Sequence, residues 1–307
     1  MNNTVGLSIL IPVYNYDITS LVRVLAAQLT RTGKKGEIIL LDDGSDNTII
    51  SGNPSLQTIP LVSYHQHQKN EGRMASRQKL AGLARYAHLL FLDCDSVISK
   101  DDFLAAYFEL VEQNVDLASG GRIYPAVAPA ECELRLHWKY GTKRENMKTG
   151  RVPGKGPAFM SNNFLVKREL FDQLDNSLQL PGYGHEDSWW GIQFEQAGVR
   201  CVHIYNPVLH GALEKATIFL TKTEQALDNL LLLEKKAGKL LVSRHVRIFR
   251  WYGRVKRSGL SRLYLFIEKR FHNYFRENLL SCRPRLLFFD CYRLAVLIRM
   301  ARAKSTV

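Results

Sequence analysis

The sequence predicts an α/β fold: a parallel or mixed sheet with helices on both faces, followed by a helical, basic C-terminal extension. Two observations carry this. Short apolar runs that end in polar clusters alternate with segments of helical period, the pattern of a layered sheet. The basic residues are also unevenly placed. Lys239–Val307 holds 17 Lys/Arg against 3 Asp/Glu, while the rest of the chain holds 25 against 26. A near-neutral body with a cationic arm follows. At 307 residues and 46% hydrophobic content, the chain can bury a sizeable core.

Taken in order, Leu7–Val13 is an apolar run of strand length. Thr19 or Ser20 opens a helix to about Arg31, with Leu21, Val22, Leu25 and Leu29 on one face and Gly33 closing it. Glu37–Leu41 is the second strand, with Asp42-Asp43-Gly44-Ser45 as the turn at its end. Leu61–His65 is the third strand, Glu71–Tyr86 is helical in composition, and Leu89–Leu92 is the fourth strand, ending at Asp93. Ser99 with Asp102 predicts a capping box opening a helix through Glu112. About Ile123–Pro157 is polar, basic and irregular and reads as a long loop with some helix. Ala158–Val166 and Cys201–Tyr205 read as strands and Ala216–Ala237 as a long helix, with basic-aromatic helical stretches beyond. The expected organisation is a catalytic domain over 1–215, with halves 1–122 and 123–215, and an extension over 216–307.

Several classes of protein are disfavoured. The start MNNTVGLSILIPVYN has no basic region of a signal peptide. No stretch reaches the roughly 18 uncharged apolar residues of a membrane span. The five cysteines, Cys94, Cys132, Cys201, Cys282 and Cys291, are odd in number and scattered. They suggest a reducing compartment and no disulfide framework. The expected location is therefore cytoplasmic, with peripheral attachment to the inner membrane face as an option.

In sheets of this kind, ligands gather beyond the C-terminal strand ends. Three polar sets follow strands directly: Tyr14-Asn15, Asp42-Asp43 and Asp93-Cys94-Asp95. On an extended backbone, Asp93 and Asp95 point to one side and Cys94 to the other. Two converging carboxylates suit Mg²⁺ or Mn²⁺ carrying a substrate phosphate; a surface turn is the alternative. Asp42 and Asp43 suit either a base N–H or ribose hydroxyl, or turn formation before Gly44. Asn70-Glu71-Gly72-Arg73, with Arg77 one turn on, is either an anion site at a helix start or an ordinary cap. Gly182–Asp187 leads into Ser188-Trp189-Trp190. Here a carboxylate could serve as general base and the tryptophans could stack on a sugar, or the acids could cap a helix whose tryptophans pack inside. His210 could complete a cation site or be structural.

Taken together, these residues resemble the family 2 glycosyltransferases of GT-A fold. The likeness rests on LSILIPVYN (Leu7–Asn15), ILLDDGS (Ile39–Ser45), NEGRMASRQ (Asn70–Gln78), FLDCDS (Phe91–Ser96) and GHEDSW (Gly184–Trp189), in matching order and spacing over roughly Leu7–Gly211. It implies a nucleotide-sugar site formed by Pro12, Val13, Tyr14, Asn15, Asp42, Asp43, Asn70, Gly72, Arg73, Arg77, Asp93, Cys94 and Asp95. It also implies a Mn²⁺ or Mg²⁺ held by Asp95 with Asp93 and His210. Asp187 would be the catalytic base, with Glu186, Trp189 and Trp190 at the acceptor. The implied reaction is inverting transfer from a UDP-sugar to a glycan or lipid-linked acceptor, building a bacterial-type surface glycan. Gln78 departs from the family's usual Asn, and the residue between the two aspartates varies in the family, so Cys94 is tolerated.

Two other classes compete with an inverting transferase. A nucleotidyltransferase would want a glycine-rich basic loop after the first strand, but Val13–Thr19 has neither glycine nor lysine. A non-catalytic basic protein would not need acids at 43, 93, 95 and 187. The tail interleaves Arg/Lys with Phe249, Trp251, Tyr252, Tyr264, Phe266, Phe271, Tyr274 and Phe275. That suits an anionic membrane surface, and packing on the core is the plainer alternative. Nucleic acid is not the expected partner.

Overall fold

In the computed structural model, residues 4–46, 48, 52–147, 159–178 and 180–304 are described. The chain forms two compact units, both discontinuous in sequence. The first comprises 1–123, 146–176 and 197–212; the second comprises 124–145, 177–196 and 213–307. The boundary expected at 215/216 lies close to 212/213, but two earlier segments cluster with the C-terminal helices.

The first unit is the sheet. Strands β1 (Thr4–Val13), β2 (Gly36–Asp42), β3 (Val62–Gln66) and β4 (Tyr86–Leu92) are joined by helices α1 (Thr19–Thr32) and α2 (Arg73–Leu83). They are followed by β5 (Ser96–Val97), α3 (Phe103–Glu112), β6 (Leu117–Ser119), β7 (Arg122–Ile123), β8 (Asn163–Lys167), β9 (Val202–His203) and β10 (Val208–His210). Seven strands run β3-β2-β1-β4-β8-β6-β9, and a small sheet runs β5-β10-β7. The β1, β2, β3 and β4 pairings are parallel, while β8 is antiparallel to β4 and β6, so the sheet is mixed.

Alternation sets the two faces. Leu7, Ile9, Ile11, Ile38, Leu40, Leu90 and Leu92 join Leu21, Val22, Leu25 and Leu29 of α1 and Phe103, Leu104 and Phe108 of α3 in one core cluster. On the other face, Phe91 stacks on Phe164 at 4.9 Å and meets Phe171 at 4.8 Å. Burial on both sides explains why these strands read as continuous apolar runs.

Local readings fail where distant side chains intervene. The Ser99/Asp102 capping box does not form; Leu104 N–H donates instead to Gln28 Oε1 (3.0 Å). The helix expected to reach Tyr86 stops at Leu83, because Arg85 donates through N–H and Nε to Glu37, at 2.7 Å each. The strand expected over Ala158–Val166 starts at Asn163. Part of the basic middle segment, including Lys148, Arg151 and Lys155, lies outside the described residues.

The second unit is helical: α4 (Arg135–Tyr140), α5 (Glu186–Gln196), α6 (Ala216–Ala237), α7 (Lys239–His245), α8 (Arg247–Arg257), α9 (Ser261–Leu280) and α10 (Leu286–Ala303). An aromatic cluster binds α4 to this bundle. His137 stacks on Phe219 at 4.6 Å, and Tyr140 meets Phe289 at 5.4 Å. Cys132 is disulfide-bonded to Cys282 across a sequence separation of 150. The expectation of unpaired thiols is therefore corrected here, and the argument from cysteine usage for a reducing compartment falls with it. Local spacing could not show a pairing that only the fold brings about. Among the described residues no helix is long and apolar enough to cross a membrane.

Candidate active site

The parallel register places Val13 beside Asp42, and Asp43 N–H donates to Val13 O (2.8 Å). The turn beyond β2 is closed by its own side chains. Asp42 Oδ1 accepts from Ser45 N–H (2.8 Å), Asp42 Oδ2 from the Tyr64 hydroxyl (2.9 Å), and Ser45 Oγ from Asn15 N–H (2.8 Å). Gly44 sits at φ +75°, and a Cβ there would lie 2.7 Å from the Lys69 backbone, so only glycine fits without a shift. Asp42 is wholly buried. Of its two readings, turn formation is the one its contacts serve.

Asp43 reaches further. Its Oδ1 accepts from Glu71 N–H (2.8 Å) and lies 3.1 Å from His67 Nδ1; its Oδ2 accepts from Gly72 N–H (2.8 Å). The start of α2 therefore already holds an anion, the Asp43 carboxylate. A carboxylate has about four acceptor positions, and these contacts use three. Arg73 is exposed, whereas Arg77 is 1% exposed. Arg77 was expected at the nucleotide-sugar; its Nη2 instead donates to Asp93 Oδ1 (2.7 Å) and Ser161 O (3.3 Å). Arg77 thus supports Asp93 from inside the fold.

Asp93 and Asp95 are each partly exposed, at 22% of the side chain. Asp95 Oδ2 lies 3.1 Å from His210 Nδ1. The small sheet creates this contact, since β10 pairs antiparallel with β5 and sets His210 opposite Ser96. Gly211 N–H then donates to Asp95 O (2.9 Å). Burial raises the Asp95 carboxyl, but the hydrogen bond and charge of His210, with Arg73 and Arg122 nearby, outweigh it and hold Asp95 below the usual carboxylate range. Cys94, between the two acids, packs against the core cluster. Burial, then the charges of Asp95 and Asp93, pushes its thiol up to about 12. The backbone here is a turn, closed by Ser96 N–H donating to Asp93 O (3.1 Å), not the extended strand that alternation of 93, 94 and 95 requires.

Tyr14 is 51% exposed, Asn15 is exposed at φ +48°, and Asn70 is exposed. Val13 is buried, so it can offer a ligand only backbone.

Glu186 and Asp187 open α5 in the second unit. Asp187 Oδ1 accepts from Ser188 N–H (2.7 Å). The loop before them is held from α6: the Asn229 amide donates to Pro181 O (3.0 Å), Tyr183 O (3.3 Å) and Gly184 O (3.1 Å). Gly184 is at φ +101°, and a Cβ would meet Ala226 at 2.6 Å. Glu186 is 8%, Trp189 5% and Trp190 0% exposed. All three are buried, and Asp187 is the less buried acid.

Sequence reading missed His67, Tyr64 and Asn229. His67 follows β3, the neighbour of β2 in the sheet, so a polar residue just past that strand was the available signal for it; Tyr64 lies within β3, opposite Leu40, and carried no such mark. Nothing local marks Asn229.

The family model for glycosyl transferase family 2 matches residues 8–175, more than half of the chain. The chain belongs to that family. An uncharacterised glycosyltransferase of Rickettsia conorii is 31% identical over 112 residues, covering 36% of this chain and 18% of that protein. Another, of Rickettsia felis, is 32% identical over 107 residues, covering 35% and 17%. The chain thus matches less than a fifth of the length of these curated relatives. The crystal structure of S. aureus TarS 1-349 superposes with a TM-score of 0.51 at 14% identity, covering 97% of this chain and 92% of that one. That likeness supports the fold.

Proposed function

We propose that this chain is an inverting glycosyltransferase. It would move a sugar from a nucleotide-sugar, a UDP-sugar, to a hydroxyl of a glycan or lipid-linked acceptor. The observation that supports this most is the C-terminal sheet edge, where Asp93 and Asp95 are presented outward with Arg77 and His210 behind them. Ligands of such sheets lie beyond this edge. The remaining acceptor position of Asp43 suits a base N–H, with Tyr14 and Asn15 exposed on the adjoining strand end.

Among the described residues no group of three metal-ligating side chains occurs. Asp95 and His210 form a pair, with Asp93 two residues away. Magnesium-type sites commonly use one or two carboxylates and complete their shell with water and substrate phosphate. The donor set therefore fits Mn²⁺ or Mg²⁺ that arrives with its diphosphate. When bound, that ion would supply positive charge to the departing diphosphate.

The chain's own residues do the rest. Asp187 takes the proton of the acceptor hydroxyl. The oxygen bonds to the anomeric carbon as the bond to phosphate breaks, and UDP leaves. A single displacement inverts the centre, giving a β-linkage from an α-linked donor.

Asp187→Asn tests the assignment. UDP-sugar with Mn²⁺ should still raise the melting temperature of the variant, while UDP release should fall by about a hundredfold or more. Release at the wild-type rate would remove Asp187 from the chemistry.

A further inference from the structure

We infer that helix α9 is a docking face for an anionic phospholipid surface. The inference goes beyond glycosyl transfer and does not depend on it.

Helix α9 buries a charged residue and exposes a row of large apolar ones. Its packed side mixes polar and apolar groups, Glu268, Tyr264 and His272 beside Phe275 and Leu279. Glu268, 2% exposed, is ion-paired with Arg299 (2.6 Å) and lies 2.9 Å from His272 Nδ1. The Tyr264 hydroxyl donates to Cys291 O (2.9 Å), and Phe275 stacks on Phe288 at 4.9 Å. Its open side carries large apolar groups: Leu260 (52% exposed), Leu263 (54%), Phe266 (72%), Ile267 (49%), Phe271 (49%) and Tyr274 (55%). Their spacing of three or four residues makes one stripe, about 21 Å long at the rise of a helix. Tyr274 also meets Phe288 edge-on at 5.5 Å, but Leu263, Phe266 and Ile267 leave about half or more of their surface in solvent, and exposed apolar surface of this extent marks an interface.

Charge identifies the occupant. Arg262, Lys269, Arg270 and Arg276 are exposed on this helix, against one exposed acid, Glu277. Symmetric pairing with a second copy would bring these cations together, which is unfavourable. Aliphatic residues at 260, 263 and 267 offer no ring on which a nucleobase could stack. A lipid surface satisfies both features. Acyl chains accept the stripe, and anionic headgroups accept the flanking cations, each contributing about 1 kcal/mol. No described helix spans a membrane, so α9 would lie in the interface plane. A cationic tail of 17 Lys/Arg against 3 Asp/Glu adds attraction of the same sign.

Flotation with vesicles of phosphatidylcholine, with and without phosphatidylglycerol, tests this on the full chain. The triple variant Leu263→Ser, Phe266→Ser, Ile267→Ser alters only exposed side chains, so its melting temperature should match wild type. Wild type should float with the phosphatidylglycerol vesicles and much less with pure phosphatidylcholine. The triple variant should lose about a hundredfold in partitioning, and Arg262→Gln with Arg270→Gln should weaken binding and its salt sensitivity. Equal flotation of wild type and triple variant would overturn the proposal, as would no flotation of wild type. So would a wild-type dimer that the triple variant dissociates without either binding vesicles; the stripe would then join two copies. Stabilisation by UDP-sugar, measured on the same variant, should be unchanged, which separates this test from that of the transfer reaction.

Discussion

The two ends of the central sheet carry the same kind of ion pair in opposite arrangements. At the N-terminal edge, Glu37 and Arg85 meet at 2.7 Å, with the carboxylate 7% exposed and the guanidinium 68% exposed. Glu37 also accepts from Ser8 Oγ at 2.7 Å. At the C-terminal edge, Arg77 and Asp93 meet at the same distance, but the arginine is 1% exposed and the carboxylate 22%. In the first pair the acid is a pin inside the fold and the cation is wetted. In the second the cation is the pin, and the acid is held outward. An ion pair that buries its cation and offers its anion is suited to a site; one that buries its anion is suited to stability.

The contrast can be broken by mutation. The largest effect should come from Arg77→Met. The change removes the buried guanidinium that donates to Asp93 Oδ1 and Ser161 O, two hydrogen bonds of a charged donor, and unfolding free energy should drop by about 3 kcal/mol in urea titration. A drop below about 1 kcal/mol would mean that Asp93 needs no internal support. Next is Glu37→Gln, which should cost about 2 kcal/mol of stability, because a neutral amide offers Ser8 and Arg85 a poorer partner. Its UDP-sugar affinity should stay at the wild-type value. Asp93→Asn should weaken donor binding as well as lower stability, because it leaves the buried Arg77 without its charge partner. If both variants shift stability and donor binding alike, the distinction between the two edges disappears.

A smaller effect is expected in the second unit. Asn229→Ala removes the donor to three carbonyls of the loop before Asp187. Stability should fall by about 1–2 kcal/mol, and UDP release should slow at unchanged donor affinity. Wild-type turnover would show that this loop needs no such clamp. The smallest effect is on pH dependence. Burial, then the charge of Arg293, lowers the pKa of His185 to about 4, against the opposing charge of Glu186. The unfolded chain therefore binds an extra proton between about pH 6.5 and about 4. Stability from this group is complete above that window and is lost as the pH falls through it. His185→Gln should flatten the melting temperature profile there; an unchanged slope would assign it to other groups, such as the buried His88, whose pKa burial also lowers.

The sequence made some of this legible and hid the rest for physical reasons. Strands buried on both faces, such as Leu7–Val13 and Leu89–Leu92, announce themselves through continuous apolar runs. Helix α6 was read with its observed bounds, Ala216–Ala237. Strands of two or three residues, such as β7 and β10, hold no period to detect, yet β10 is what brings His210 to Asp95. The acids at 93 and 95 were visible as types and spacing, but their support was not. Arg77 looked like a surface anion binder, and only packing shows it to be internal. The tail was legible as basic and aromatic, while the choice of buried face on α9 was not. That helix buries a glutamate and exposes a phenylalanine, the opposite of what its residue types suggest.

The central claim is that the C-terminal edge holds a nucleoside diphosphate through a cation at Asp95. Titration calorimetry of UDP with Mn²⁺, against wild type and Asp95→Asn, tests it most directly. The account expects binding to wild type that chelator abolishes and that Asp95→Asn weakens by about tenfold or more. Equal, chelator-insensitive binding by both proteins would contradict it.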